Sequence, residues 1–492
     1  MLPDDVLLEA FDSYVDDYVD EDFGPFKESG IRRWITLAHV CRRWRSLVFQ
    51  SPRRLNLRLL CTANTPARDT LEIWPPLPLV IRNVNDIFSD EPSNADKWDN
   101  IAAALEHNDR VCRILLSCYS SLQFKHITDS AAIQKPFPEL TDLHLGRYRD
   151  DGSGPRLPDS FLGGTAPRLR SLKLDNVPFL GLPKLLLSST HLVYLGLYGI
   201  SRSGYISPEV TATSLSALTN LEFFQLQFRD PRPRPALDIR RPPPPLTRSI
   251  LPRLTMITFK GASEYLEDIL ARVDAPRLNE LDIVFFNEII FDTPQLFQFI
   301  SRRPTLREPE NGHIKFSIRA IIVKFPSQTS DHGGLRVEIP CTASDWQLSS
   351  LEQICTSSLP HFSTLEKLYI FEDQIFPPHW KDDVENTLWL DLLRSFVAVK
   401  DLYLSEGFVP HVAPALQELV EGGTTEVLST LENIFLEGFQ TSGPLQEGIQ
   451  KFVAARQLTN LPVTVSLWDR ESMLEYAARV ASPYDARCST LY

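Results

Sequence analysis

The sequence predicts a mixed α/β chain in which a short helical module precedes an irregular solenoid, each unit holding one strand and a helix or irregular segment. Two patterns carry this prediction. Apolar residues recur at helical spacing within the first sixty residues, and a triplet of large apolar residues recurs about every 29 residues from residue 110 onward. Composition agrees, because 43% hydrophobic and 10% aromatic residues supply enough apolar surface for a folded core.

Two amphipathic stripes define the N-terminal module. In the first, Val6, Leu7, Ala10 and Phe11 recur at spacings of three and four residues, which predicts a short helix. The second stripe predicts one helix over residues 34–49, ended by Pro52. Sixty residues cannot close a core alone, so these stripes must pack against the following domain or another protein.

The charges of this module are segregated along the chain. Residues 1–30 hold ten acids and one lysine, whereas residues 31–60 hold eight arginines and no acid. The opposite signs indicate either a mutually attracting helical pair, a partner-docking element or two solvated helix faces. The net charge of −13 argues against a nucleic-acid partner.

Two short segments give the module a family resemblance. The first reads LPDDVLLEAF from residue 2, the second reads LAHVCRRWRSL from residue 37, and the stretch TPARDTLEIWPPLPL follows from residue 65. Together they resemble fungal F-box proteins with a degenerate leucine-rich-repeat C-terminal region, although the acidic insertion of residues 14–30 is longer than that family's usual link. The resemblance implies adaptor-binding residues Leu2, Pro3, Leu7, Leu8, Phe11, Leu37, Val40, Cys41, Trp44 and Leu47.

The recurring triplet places large apolar residues at positions i, i+3 and i+5. Its first residues are Val111, Leu140, Leu169, Leu192, Leu221, Leu254, Leu278, Leu365, Val399 and Leu431. Successive first positions lie 23 to 34 residues apart, except for one gap of 87 residues that equals three units of 29 and suggests two divergent repeats. A strand at i+3 to i+5 followed by a returning segment resembles a leucine-rich repeat. The Asn or Cys that many such repeats carry at i+8 is missing, so we expect an irregular solenoid.

These patterns predict four regions. Residues 1–60 form the F-box-like module, 61–108 a linker and N-terminal cap, 109–468 the leucine-rich-repeat-like solenoid with a last strand near residues 463–468, and 469–492 a tail that caps the open end or frays. The proline-rich segment 230–248 favours polyproline II, either as a ligand for an SH3-like groove or as an inserted loop.

The alternation along each strand points to a binding surface. Positions i+4 and i+6 should face away from the buried triplet, and aromatic residues concentrate at these positions near the carboxyl end. We expect the substrate-binding residues to be Tyr369, Phe371, Tyr403 and Phe435, unless helices or loops cover them.

Motifs for chemistry are missing from the sequence. It contains no P-loop, GxSxG elbow, HExxH or EF-hand pattern, and its seven cysteines are widely spaced without CxxC. We therefore expect no catalytic residue, no metal site and no cofactor. An acidic start and the lack of a long apolar run predict a cytoplasmic or nuclear protein without a membrane partner.

The resemblance implies a non-enzymatic function. The chain would be the substrate-recognition subunit of a cullin-RING (SCF-type) ubiquitin ligase that binds a Skp-type adaptor through its N-terminal helices and an unidentified target protein through its repeats. The alternative is a non-catalytic interaction scaffold whose F-box-like helices pack on its own repeats.

Overall fold

The fold is given by a computed structural model of the chain, which divides into two compact units. The structure describes residues 2–16, 29–83, 95–118, 121–148, 155–230, 247–286, 293–307, 309–327, 333–341, 343–355, 364–378, 386–421, 427–437 and 444–468. The first unit holds residues 1–206 and 213–221, and the second holds residues 207–212 and 222–492. Segment 231–246, most of the predicted polyproline region, and the tail 469–492 lie outside the described residues.

Strands and helices alternate through the first unit. Its elements are α1 (Asp4–Asp16), α2 (Ser29–Val40), α3 (Arg42–Gln50), β1 (Leu59–Thr62), α4 (Ala67–Ile73), β2 (Leu79–Asn83), α5 (Ala95–Leu105), β3 (Val111–Cys118), α6 (Ser121–Thr128), β4 (Asp142–Arg147), β5 (Ser171–Asp175), α7 (Leu182–Ser188) and β6 (Tyr194–Ile200). The six strands pair in chain order, and every pair is parallel. Helix α8 (Pro208–Ser216) contains residues of both units.

The second unit contains the remaining elements. They are β7 (Phe223–Phe228), β8 (Ser249–Ile250), β9 (Met256–Gly261), α9 (Ser263–Leu270), β10 (Val273–Asp274), β11 (Glu280–Phe285), α10 (Pro294–Ser301), α11 (Pro304–Arg307), β12 (Asn311–Phe316), β13 (Ala320–Pro326), β14 (Gly334–Pro340), α12 (Ser344–Gln353), β15 (Lys367–Glu372), α13 (Asn386–Arg394), β16 (Asp401–Leu404), α14 (Val409–Glu421), β17 (Asn433–Glu437), α15 (Pro444–Leu458) and β18 (Thr464–Trp468). Within this unit the main sheet runs β7-β9-β11-β14-β13-β12-β15-β16-β17-β18, and β8 pairs with β10 separately.

The recurring triplet is confirmed as the core of both units. Each of the ten triplets coincides with one strand, and its i+3 and i+5 residues are buried. The register explains how they cooperate: Leu402 stands opposite Leu368 and Ile434, so that core-facing residues of neighbouring strands form continuous apolar layers. The predicted last strand is also confirmed as β18.

The sheet of the first unit begins earlier than the triplet pattern indicates. Strands β1 and β2 lie at residues 59–62 and 79–83, where we expected the end of the helical module and then a linker and cap. Leu79 pairs with Val111 and Ile81 with Ile114, with a register shift between them. Leu79 and Ile81 are two residues apart, whereas their partners Val111 and Ile114 are three residues apart. The i, i+3, i+5 spacing therefore does not find β2.

The described residues of the 87-residue gap do not form two further repeats of the same kind. After β11 they contain three strands that lie in the reverse of chain order, with β14 beside β11 and β12 beside β15. Strand β13 between them is antiparallel to both neighbours. The suggestion of two divergent repeats was wrong for these three strands, because only three residues separate β12 from β13 and seven separate β13 from β14, which is too few for a crossover helix.

The prediction of a single helix over residues 34–49 was also wrong, because the helix is interrupted at Cys41. This residue has extended backbone angles (φ −159°, ψ 169°), and its Sγ accepts a hydrogen bond from the Trp44 N–H at 3.4 Å. Cys41 therefore ends α2 and caps the N-terminus of α3. An apolar stripe alone does not reveal such a break, because both helices can keep the same spacing.

The carboxyl end of the second unit leaves core positions uncovered. Leu436 of β17 is fully buried, whereas Leu467, its register partner on β18, is 66% exposed. Val465 on the same side of β18 is also exposed. Among the described residues, β18 pairs with β17 alone.

This difference in burial predicts that substitution by alanine destabilises the fold much more at Leu436 than at Leu467, its register partner. Leu436→Ala should lower the free energy of unfolding by about 2–5 kcal/mol, because it leaves a cavity in the buried layer. Leu467→Ala should change it by no more than about 0.5 kcal/mol. Urea unfolding followed by circular dichroism measures both, and equal losses would mean that β18 is covered in solution.

Candidate protein-interaction surfaces

The N-terminal helices form a small bundle with an apolar interior. Helix α1 packs mainly against α2 and α3. Half of the predicted adaptor-binding residues are buried in the first unit: Leu7, Leu8, Phe11, Leu37 and Leu47. Trp44 is half-buried, with its ring centroid 4.7 Å from that of Phe11. These six residues first serve the stability of the bundle.

The other four predicted adaptor-binding residues, Leu2, Pro3, Val40 and Cys41, are exposed, and Arg43 lies two residues after the last of them. Arg43 connects them, because its guanidinium donates to the Leu2 carbonyl oxygen at 2.6 Å and to the Asp4 carboxylate at 3.1 Å. The start of α1 is thereby held beside the junction of α2 and α3. We call the resulting apolar surface the docking strip; it consists of Leu2, Pro3, Val6, Val40 and Cys41.

Two ion pairs join the acidic and basic segments of the bundle, as in the first of the three interpretations of their opposite charges. Asp4 pairs with Arg43, and Glu9 pairs with Arg54 at 2.8 Å. All four side chains are partly or largely exposed, so each pair adds little stability, about 1 kcal/mol or less. Their main effect is to fix the orientation of α1.

A tryptophan cluster anchors the bundle to the strands that follow. Trp34 is buried, and its Nε1 donates to the Arg58 carbonyl oxygen at 2.9 Å. Its ring stands edge-on to Trp74 at 5.2 Å, and Phe49 completes the cluster at 6.1 Å from Trp34. Neither Trp34 nor Trp74 was predicted to have this role; Trp74 lies in the stretch from residue 65 that contributes to the resemblance, and Trp34 lies three residues before the second segment.

The predicted substrate-binding residues meet in an aromatic ladder on the second unit. Tyr369, Tyr403 and Phe435 occupy the same register position on β15, β16 and β17. Their rings stack with centroid distances of 4.1 Å and 4.4 Å and interplanar angles of 17° and 8°. Tyr369 is buried, whereas Tyr403 and Phe435 are half-buried. Phe371 lies two residues further along β15, outside the stack, and is also half-buried.

Two residues extend this ladder that our sequence analysis did not select. His313 stands opposite Tyr369 on β12, with ring centroids 4.8 Å apart. Trp468 of β18 reaches back across the sheet, where its Nε1 donates to the Leu404 carbonyl oxygen at 3.1 Å and its ring lies 5.6 Å from Tyr403. Trp468 follows the same alternation as Phe435, so the pattern could have found it; His313 lies in the gap without triplets.

A charged band continues the same register row on the side of His313. Lys324, Arg336 and Asp282 follow on β13, β14 and β11. Arg336 pairs with Asp282 at 2.7 Å and also with Glu338. One face of the second unit therefore changes from charged to aromatic along a single row of residues.

The corresponding face of the first unit carries a more enclosed set of side chains. Lys173 Nζ lies 5.1 Å from the centre of the Tyr198 ring, and the hydroxyls of Tyr194 and Tyr198 are hydrogen-bonded at 2.6 Å. Burial, helped by the charge of Lys173, lowers the pKa of His144 to about 3. Burial likewise raises the pKa of Asp175. Because this face carries charged groups such as Lys173 and Asp175, it is less suited to an apolar partner than the ladder.

The described ranges contain neither a candidate metal site nor a helix that could span a membrane. No three His, Cys, Asp or Glu side chains of those ranges approach one another in a way that could hold a metal ion. No helix in the same ranges is both long enough and apolar enough to cross a bilayer.

Comparisons with known proteins give little further information. No protein-family model matches the chain, and no significant match exists among curated proteins. Among solved structures, the chain is similar to the leucine-rich repeat-containing protein LegL7 from Legionella pneumophila. The two share 13% identity over 80% of this chain and 97% of that one, with a TM-score of 0.26. The F-box resemblance stays a prediction.

The half-buried His313 beside the ladder predicts a pH dependence of stability. Burial, helped by the charge of Lys324, lowers the pKa of His313 to about 4. The unfolded chain takes up this proton near pH 6.5 and the folded chain only near pH 4, so stability falls as the pH drops through this window. Between pH 7 and pH 5, His313→Asn should lose about 2 kcal/mol less than the unmodified chain.

Urea unfolding at the two pH values measures this difference. His191 is exposed, so His191→Asn serves as the control and should lose as much stability as the unmodified chain. An equal loss in the His313 variant would show that this histidine is protonated freely in the folded state.

Proposed function

We propose that the chain is a non-catalytic interaction scaffold that serves as the substrate-recognition subunit of a cullin-RING (SCF-type) ubiquitin ligase. The docking strip is the observation that carries this proposal. Leu2 is 59% exposed and Val40 is 56% exposed, although the bundle around them has an apolar interior. Exposed apolar residues at positions where the F-box resemblance implies adaptor contact support binding of a Skp-type adaptor.

Two contacts fix the position of the helices that carry the docking strip. Arg43 holds the start of α1 against the junction of α2 and α3, and the tryptophan cluster fixes α2 to β1. A preorganised surface loses little conformational freedom when a partner binds, which favours affinity. The exposed residues of the strip would then contact the adaptor, while Leu7, Leu8, Phe11, Leu37 and Leu47 hold those contacts in place.

The aromatic ladder supports the target-binding half of the proposal. Tyr403 and Phe435 are half-buried and keep part of their rings accessible, and stacking restricts these rings before any partner binds. Tyrosine and tryptophan are frequent energetic anchors of protein interfaces, and Trp468 lies against the same rings. Recruitment would accelerate ubiquitin transfer by proximity, since a held target presents its lysines at high effective concentration without a catalytic group from this chain.

The alternative is an interaction scaffold that needs no adaptor because the helices pack on its own strands. One observation favours it: Trp34 is fully buried and bonded to the backbone just before β1. That contact covers the face of α2 that carries Trp34, whereas Val40 at the end of the same helix stays exposed. The two functions therefore differ in what the docking strip does.

Substitutions in the docking strip should abolish adaptor binding without unfolding the chain. Val40→Asp and Leu2→Asp place a charge at a surface that the adaptor would desolvate, and each should weaken co-purification with a Skp-type adaptor at least about tenfold. Leu187→Asp is the matched control, because Leu187 is 54% exposed on α7. Leu8 and Trp44 are unsuitable for this test, since charges there would disrupt the bundle.

Co-expression with the adaptor followed by affinity purification measures the effect. Unchanged adaptor recovery from the Val40 and Leu2 variants, or no recovery with the unmodified chain, would refute the ligase assignment and favour the alternative.

Substitutions in the ladder should separate target binding from adaptor binding. Tyr403→Ala and Phe435→Ala remove stacked rings, and each should reduce recovery of a target about tenfold or more. Val465→Ala alters the opposite side of β18 and should leave recovery unchanged. Quantitative co-purification measures target recovery, with adaptor recovery as the internal reference. Equal target recovery with all three variants would contradict the assignment of the ladder as the target-binding surface.

A further inference from the structure

Among the described residues, the first strand of the first unit, β1, pairs with β2 alone, so its other edge has no neighbouring strand there. The Leu59 N–H donates to the Pro78 carbonyl oxygen at 2.9 Å, and Leu59 stands opposite Leu79 of β2. In a parallel pair, alternate residues direct their backbone groups to opposite sides. The backbone groups of Arg58, Leu60 and Thr62 therefore point away from β2.

The chain itself satisfies two of these outward groups and leaves three open. Trp34 Nε1 donates to the Arg58 carbonyl oxygen, and the Thr65 N–H donates to the Thr62 carbonyl oxygen at 3.1 Å. Within the described ranges, the Leu60 N–H, the Leu60 C=O and the Thr62 N–H receive no partner. Two donors flank one acceptor, as at the edge of a sheet that can accept one more strand.

A hollow of about 530 Å³ lies along this edge. Ile35 of α2 and Trp74 form apolar walls, and Thr62 and Thr65 line it beside the backbone of β1. The strand beneath is held firmly, because the Leu60 side chain is buried in a cluster with Val80 and Leu115. The edge is thus a rigid template with room beside it, rather than a fraying end.

The charge beside the hollow selects an acidic occupant. The Arg58 guanidinium donates to the Asn56 side-chain oxygen at 3.1 Å and 3.2 Å, and in the described part of the chain it contacts no carboxylate. Its neighbour Arg113 is already paired with Asp142 at 3.0 Å. Burial, followed by the charge of Arg113, lowers the pKa of Arg58, whereas Cys112 and Asp142 act in the opposite direction.

The geometry points to a second binding site at the β1 edge, which captures an extended acidic peptide of a partner protein by strand addition. The peptide backbone pairs with Leu60 and Thr62, its apolar side chains enter the hollow between Ile35 and Trp74, and a Glu or Asp side chain pairs with Arg58. This site is separate from the docking strip and the ladder, so it does not depend on adaptor binding.

A defined peptide tests the site in the full chain. The probe is a fluorescein-labelled, end-capped Val-Glu-Val-Glu-Val peptide, compared with the same peptide carrying Lys in place of Glu and with one N-methylated along its backbone. Fluorescence anisotropy should show saturable binding of the acidic peptide and at least about tenfold weaker binding of the other two.

Substitutions at two residues locate the binding. Thr62→Pro removes an N–H that faces away from the sheet, a position where proline is tolerated, and should weaken the acidic peptide about tenfold or more. Thr62→Ala keeps the N–H and should bind within about twofold of the unmodified chain. Arg58→Gln should remove the preference for the acidic over the lysine peptide.

Three outcomes would overturn the proposal: no binding of the acidic peptide, equal binding of its N-methylated form, or equal binding by the Thr62→Pro and Thr62→Ala variants. Sedimentation adds a fourth. A dimer that Thr62→Pro abolishes would make a second copy of the chain the occupant of this edge. The N-methylated peptide keeps the test decisive even if Thr62→Pro disturbs the fold.

Discussion

The alternation of side chains along each strand is the constraint on which the rest of the structure depends. Neighbouring strands pair so that buried residues such as Leu368 and Leu402 stand opposite each other, and their burial stabilises the pairing. Every residue between them is then directed to the other face of the sheet. A shift of one residue would exchange the two faces, so the apolar layer fixes the position of each partner-facing side chain.

This constraint explains why a solvent-facing row can have a defined chemistry. The ladder exists because Tyr369, Tyr403 and Phe435 each lie between two buried residues on successive strands. The charged band exists for the same reason, since Asp282 and Arg336 occupy the same row further along the sheet. In the N-terminal bundle the helical period, rather than the alternation of a strand, separates buried from exposed residues. Val6 and Val40 of the docking strip lie on the same helices as the buried Leu7 and Leu37, and the other strip residues lie just before α1 or between α2 and α3.

The parts that could be predicted from the sequence are those in which local spacing decides the structure. Each of the ten triplets predicted a strand, and the alternation of side chains along these strands predicted Tyr369, Tyr403 and Phe435 of the ladder. The spacing did not find β2, because its register shift at Leu79 brings the buried residues one position closer together. It could not show that Cys41 interrupts a helix, since that break depends on backbone angles rather than on apolar pattern. Contacts between distant segments, such as Trp34 with Trp74 and His313 with Tyr369, depend on the assembled fold and leave no local signal.

The reversed insertion of β12, β13 and β14 has a consequence for how the polypeptide acquires its structure during synthesis. In an array of consecutive parallel strands, each new strand adds to the one made just before it, and ordering can spread from the N-terminus as the ribosome releases the chain. Strand β11 has no such successor: its neighbour is β14, completed only at residue 340. Growth of the second unit must therefore pause at β11 until more than fifty further residues have emerged, and during this interval the edge of β11 is open to unwanted pairing.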